Sequence, residues 1–192
     1  LTKKQASPTS PMGLKSNTTP RGAVLEPLNP LLVSLGVANA SFIAQGVDWM
    51  PEQLYDIIHK AFKHRGFSFV RVIQRCPEFL PRMFEPWLHD PGKTLLLTHA
   101  NGLRPSAEVS RTYRNQREHD PLDIDTAREI AACEDPIPVG ILYHNPAVPC
   151  YEDRRHAGAP RSPELTRAGL DAELDKYTIW PEERDSQPAQ AV

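Results

Sequence analysis

Closely spaced glycines are missing from this 192-residue chain: its ten glycines never come nearer to one another than the nine positions separating Gly13 from Gly22. Without them no loop can turn several backbone N–H groups onto one phosphate, which excludes the mononucleotide and dinucleotide fingerprints. Cysteine is scarce as well. Cys76, Cys133 and Cys150 are odd in number and show no CxxC spacing, so neither a disulfide framework nor a self-contained zinc site is expected, and a reducing cytoplasm is the compartment that fits. Positive charge is not in excess, with 22 Lys and Arg against 24 Asp and Glu, and nucleic acid is therefore not an expected partner. The least polar stretch, Leu31 to Ala44, is interrupted by Ser34, Gly36 and Asn39 and is shorter than the roughly 20 residues a membrane-spanning helix needs. No serine stands in a nucleophile-elbow motif. The opening Leu1-Thr2-Lys3-Lys4-Gln5 carries no signal-peptide pattern. Its first residue is Leu rather than Met, so the expectation is a piece of a longer chain.

What is present is enough for a core, and it lies early. Residues 1 to 50 hold six charged side chains while residues 145 to 192 hold fifteen, and 14 of the 20 prolines follow Cys76. The second half is accordingly expected to be rich in loops. Asn29 is placed to cap a short helix that Pro30 opens and Leu31, Leu32, Leu35 and Ala38 continue. Ala40 to Gln45 reads as a buried strand. From Pro51 to Arg65, Leu54, Ile57, Ile58, Ala61 and Phe62 recur at the helical period, and Gly66 closes the segment. Phe67 to Ile73 is a nearly continuous β-rich run, expected to be buried on both faces. The order helix, strand, helix, strand points to α/β architecture, a parallel sheet flanked by helices with ligands at the carboxyl ends of its strands. Further on, Asp125 to Ala132 is expected as a helix, Val139 to Tyr143 as a short strand, and Pro163 to Lys176 as a polar helix.

Few residues offer chemistry on these grounds alone. His59 and His64, five apart on the expected helix, face different ways and do not form an i, i+4 metal pair. Arg111, Arg114 and Arg117 around Tyr113 read as a solvated charge run. Cys76 stands just beyond the second strand; a lone cysteine there is more often a small buried hydrophobe than a ligand. Lys3 and Lys4 beside Thr2 offer ammonium groups to a phosphate or carboxylate, but two lysines at a chain start are usually just solvated. The residues thus indicate an α/β domain with a candidate site near Thr2 and Cys76.

Several segments go further. Leu1-Thr2-Lys3-Lys4-Gln5-Ala6-Ser7-Pro8-Thr9, Thr19-Pro20-Arg21-Gly22, Glu26-Pro27-Leu28-Asn29-Pro30 and Gly66-Phe67-Ser68-Phe69-Val70 through Cys76 resemble the β subunit of 2-oxoacid:ferredoxin oxidoreductases, nearest to the 2-oxoglutarate members. The likeness returns at His119-Asp120-Pro121 and Pro138-Val139-Gly140-Ile141-Leu142-Tyr143, and is poor over residues 77–118 and after Glu152. It implies a partial thiamine-diphosphate-binding fold over residues 1–76. A Pro-rich C-terminal extension, 77–192, follows, with a variable insert at 77–118 and a polar tail at 145–192. In this light Leu1 sits against the thiamine, Thr2 lies beside its diphosphate, and Lys3 meets the substrate carboxylate. Cys76 becomes the last ligand of a 4Fe-4S cluster, with the magnesium ligands and the other three cysteines upstream. Cys133 and Cys150 match no role and stay structural. Lys4 replaces a family glycine, which changes the loop beside the cofactor. The implied activity is CoA-dependent oxidative decarboxylation of a 2-oxoacid, with electrons passing to ferredoxin and the cavity completed by an α subunit. This piece is expected to be inactive alone. Pyruvate- or branched-chain-specific enzymes, or a non-catalytic assembly subunit of the same fold, are the alternatives.

Overall fold

The computed structural model describes residues 5–77, 82–100, 103–157 and 167–179. The chain divides into a unit from Leu1 to Arg154 and a second from Arg155 to Val192. In the first, Asn29 caps α1 (Pro30–Leu35), its side-chain oxygen accepting from the N–H groups of Leu31 and Leu32. This is the cap read from the sequence. Next come β1 (Phe42–Val47), α2 (Pro51–Lys63) and β2 (Ser68–Ile73), again as expected to within a few residues. Beyond them lie α3 (Glu85–His89), β3 (Thr94–Thr98), α4 (Ala107–Thr112), β4 (Gln116–Glu118), α5 (Ile124–Ala131) and β5 (Ile137–His144), and the division between the units falls within α6 (Tyr151–His156). The second unit contains α7 (Arg167–Asp175), exposed along its length. Pro163 to Thr166, the start of the helix expected there, lies outside the described residues. No helix among the described residues is long and apolar enough to cross a membrane.

The five strands form one sheet in the order β2-β1-β5-β3-β4. Helices cover both faces. Leu31 and Leu35 of α1 and Ala127, Ile130 and Ala131 of α5 pack with Ile43, Leu97 and Leu142 of the sheet. On the other face Ile57 of α2 meets Phe42, Ala44 and Ile141. All six residues of β1 are buried, because β2 and β5 flank it in the sheet and helices cover it. The expectation of a sheet flanked by helices holds, but the sheet is not wholly parallel. The pairs β1–β2, β3–β4 and β3–β5 are parallel, whereas β1 and β5 run antiparallel, with Phe42 opposite His144. Strand direction is set by how the chain returns to the sheet, and side-chain patterning alone does not encode it.

Two further expectations are corrected. β2 is an edge strand, not one buried on both faces: residues 68–71 are half-buried and Val72 is 43% exposed. The stripe on α2 is wider than its contact with the sheet. Ile57 is fully buried, but Ile58 is 48% and Phe62 84% exposed. β3 and β4, which lie within residues 77–118, belong to the same sheet.

Candidate functional site

The antiparallel junction has a consequence for function. Carboxyl ends of β1 and β2 lie at one end of the sheet, and those of β3, β4 and β5 at the other, so the molecule has two rims where a ligand is commonly held.

Cys76 lies on the first rim. After β2 the chain is pinned to the end of β1 by Asp48, whose carboxylate accepts from the backbone N–H of Arg75 at 3.1 Å and from its Nε at 2.9 Å. Cys76 follows at once and is half-buried. It lines a cleft of about 490 Å³ together with Ser7, Ser10, Arg71, Met83 and Phe84. The N-terminal segment reaches this cleft through a turn in which Ser10 N–H donates to the Ser7 carbonyl at 2.9 Å, while Leu28 N–H holds the Pro8 carbonyl at 2.8 Å. The structure thus brings Ser7, Thr9, Ser10 and Pro11, shortly after Leu1-Thr2-Lys3-Lys4-Gln5 in the chain, into one cleft with Cys76. Leu1, Thr2 and Lys3 themselves lie outside the described residues.

A cation shares this cleft. The Arg71 guanidinium is half-buried; loss of water pulls its pKa down, and the nearby Glu134 carboxylate opposes that shift. Arg71 is the register partner of Gln45 on β1. The Gln45 amide nitrogen donates to the Pro138 carbonyl at 2.6 Å, and its buried oxygen has no hydrogen-bond partner; Gln45 lines a separate, smaller pocket with Arg71, Cys133 and Glu134, not the Cys76 cleft. No set of three His, Cys, Asp or Glu side chains among the described residues converges to hold a metal. Cys76 therefore stands on a pinned strand end and lines a roomy cleft with Arg71 and Arg75. That suits a single ligand of a negatively charged iron–sulfur cluster whose other ligands come from elsewhere. Cys133, by contrast, directs its thiol to the Pro136 carbonyl at 3.3 Å, a structural contact.

The second rim carries histidines. His99 follows β3, His119 follows β4, and His144 ends β5; all three line a pocket of about 740 Å³ with Glu118, Asp120, Leu122 and Ile141. The rings of His99 and His119 stand perpendicular, with centroids 4.8 Å apart. His144 packs edge-on against His64 at 5.0 Å, and His64 Nε2 lies 2.9 Å from the Ser41 hydroxyl. His59 stacks instead on Tyr55, so it and His64 serve separate contacts, as their spacing implied. The pairing of His99 with His119 escaped sequence reasoning because nothing in the chain links these two positions except β3 and β4, which were not foreseen; the strand that ends at His144 was. Of the arginine run, Arg117 pairs with Glu129 at 3.0 Å and Arg111 bonds the Ala107 carbonyl, both at the surface.

Comparison with known proteins matches residues 109–158 to the family of the C terminal of the pyruvate ferredoxin oxidoreductase beta subunit. The 2-oxoacid:ferredoxin oxidoreductase subunit beta of a Sulfolobus species is 32% identical over 171 residues, covering 88% of this chain and 52% of that protein. The chain is related to the β subunits of the 2-oxoacid:ferredoxin oxidoreductases. It spans about half the length of the curated β subunits that it matches over most of itself. The 2-oxoglutarate oxidoreductase subunit KorB of Mycobacterium tuberculosis is 38% identical over 85 residues, covering 44% of this chain and 22% of KorB. A solved 2-oxoglutarate:ferredoxin oxidoreductase from Magnetococcus marinus has the same fold, at a TM-score of 0.61 and 24% identity over 93% of this chain and 54% of that one. The segment 109–158 matched by the family contains His119 and His144 of the second rim.

Proposed function

We propose that the chain forms part of a β subunit that, with a companion α subunit, catalyses CoA-dependent oxidative decarboxylation of 2-oxoglutarate and passes the electrons to ferredoxin. One observation carries the reading: Cys76, at the carboxyl end of β2, shares its cleft with the segment that continues from Leu1-Thr2-Lys3. That is the juxtaposition a cofactor site and a neighbouring cluster ligand require. The KorB relatives, named for 2-oxoglutarate, and the neighbour solved with 2-oxoglutarate, coenzyme A and succinyl-CoA support the choice of substrate.

In this reading Leu1 packs against the thiamine, Thr2 bonds the diphosphate, and Lys3 places its ammonium against the substrate carboxylate. Magnesium and the remaining cluster cysteines are held by other parts of the subunit. Thiamine diphosphate and the 4Fe-4S cluster supply the carbanion and single-electron chemistry when bound, while the protein supplies orientation and charge. Cys76 holds the cluster through its thiolate, and Asp48 fixes the strand end on which Cys76 stands by gripping Arg75. Arg71 and Arg75 complement the negative charge of a thiolate-ligated cluster. The cytoplasm, where thiols stay reduced, is the compartment for such chemistry.

The test is made on the full-length β subunit, expressed together with its α partner. Cys76→Ala is expected to lower the iron content and weaken the EPR signal of the reduced cluster, with ferredoxin reduction falling in step. Full iron and unchanged ferredoxin reduction would remove Cys76 from the cluster. For the substrate, kcat/KM for 2-oxoglutarate is expected to exceed that for pyruvate by at least about a hundredfold, because a site that pairs a second carboxylate leaves buried polar groups unpaired when it is missing. Equal values would assign a different 2-oxoacid.

A further inference from the structure

On the rim opposite Cys76, His99 is 4% exposed and neither of its ring nitrogens has a hydrogen-bond partner. Two unpaired buried nitrogens on one imidazole are costly, and such a residue usually has a ligand, an ion or a water to account for it. Its neighbour explains more. His119 Nε2 lies 3.1 Å from the Leu142 carbonyl oxygen. Since a carbonyl only accepts, Nε2 carries the proton and Nδ1 presents a lone pair, buried and unpartnered. A histidine whose one N–H is anchored on a backbone carbonyl while the other nitrogen stays free is built like a metal ligand, with its orientation and tautomer already fixed.

The surroundings select the ligand's charge. His99 presents one donor and one acceptor, His119 one acceptor, and Glu118 and Asp120 add carboxylates to the lining. Free imidazole nitrogens and carboxylates are ligands for a cation, while Lys60 and Arg117 stand close enough to act electrostatically on His99 and His119, so a soft nitrogen-seeking ion fits better than one held by charge alone. The strand ends provide a frame, since β3 and β4 are parallel and carry His99 and His119 at neighbouring carboxyl termini. Perpendicular rings with centroids 4.8 Å apart let two nitrogens approach one centre from different sides. Imidazole favours zinc, copper and nickel over calcium and magnesium.

We propose that His99 and His119 form a two-imidazole binding site for a divalent transition-metal ion of the zinc class at the carboxyl ends of β3 and β4. No third His, Cys, Asp or Glu converges among the described residues, so water or a bound molecule in the pocket completes the coordination and the site keeps open positions. It is independent of Cys76 and of the oxidoreductase reading, and stands or falls without them.

The experiment titrates the full 192-residue chain with Zn²⁺ alone. Calorimetry is expected to show saturation at one ion per chain. In imidazole ¹⁵N spectra of the unaltered protein, the His99 and His119 resonances should shift together while those of the exposed His59 stay in place. His119→Gln, which removes the free lone pair, is expected to weaken binding at least about 10- to 100-fold, and His59→Gln to leave it unchanged. The spectra stand even if an altered chain fails to fold. Absence of saturable Zn²⁺ binding overturns the proposal. So do shifts confined to His64 and His144, or equal affinity in the His119 and His59 variants.

Discussion

Gly140 is a described residue at which a single added carbon meets atoms that cannot easily give way. It lies in β5 with φ of +140°, and a Cβ there would stand 2.8 Å from the Leu97 Cβ and 3.1 Å from the Leu97 carbonyl oxygen. Neither neighbour is the far end of a flexible side chain. Gly140→Ala is therefore expected to lower unfolding free energy by about 2–4 kcal/mol in urea denaturation, combining backbone strain with overpacking. Gly13, with φ of +79° but nothing within 4 Å of its absent Cβ, is the control and should lose only about 1–2 kcal/mol. Histidine sets the pH response at the same scale. Burial holds the His64 pKa below its ordinary 6.5. The groups facing it are the Ser41 hydroxyl, the Phe42 ring and His144, whose own pKa is lowered by burial, then by His64 and Lys60. These two histidines thus hold fewer protons in the folded chain than in the unfolded chain over the range in which their pKa values differ. Their contribution to stability is full above the ordinary histidine pKa of 6.5 and declines as pH falls below it. Urea midpoints measured downward from neutral pH should follow that course, and His64→Gln should make the decline shallower. A midpoint that rises on acidification would contradict the sign.

Among the elements, α1 depends on one side chain for two jobs. Asn29 Oδ1 accepts from Leu31 N–H at 3.0 Å and Leu32 N–H at 3.3 Å, while Nδ2 donates to the Ala131 carbonyl at the end of α5 at 2.7 Å. Asn29→Ala removes the cap and strands a carbonyl, an expected loss of about 2–3 kcal/mol. Asn29→Ser restores only the cap and should fall between. If Ser matched Asn in a thermal melt, the link to α5 would contribute nothing. That cap was legible in the sequence because Asn-Pro before an apolar period is a local signal, and α2, β1, β2 and β5 were legible for the same reason. β3 and β4 were not. Thr94–Thr98 is a short apolar run whose neighbours did not single it out, and Gln116–Glu118 is polar throughout, a strand only because Leu96–Thr98 lies beside it. The site divides likewise. Cys76 could be singled out through likeness to a family, whereas His99 and His119 are neighbours only because β3 and β4 pair.

For the whole molecule, the question is whether residues before and after Cys76 fold separately. The sheet says they do not. β1 runs between β2, from its own half, and β5, from the other. Phe42, Ile43 and Ala44 are wholly buried, and their cover includes Ile141, Leu142 and Tyr143. A chain ending at Asp90 would expose one edge of β1 and the apolar face that α5 covers. It would retain a two-stranded parallel sheet, too small to stand alone in water. Such a 1–90 chain is expected to show no cooperative urea transition, and mixing it with a 91–192 chain should restore one together with protection of the β1 amides in hydrogen exchange. A sharp transition from the 1–90 chain alone would show instead that the antiparallel junction joins two finished halves. In that case the two rims, cysteine at one end and histidines at the other, would belong to separately folding units rather than to one sheet.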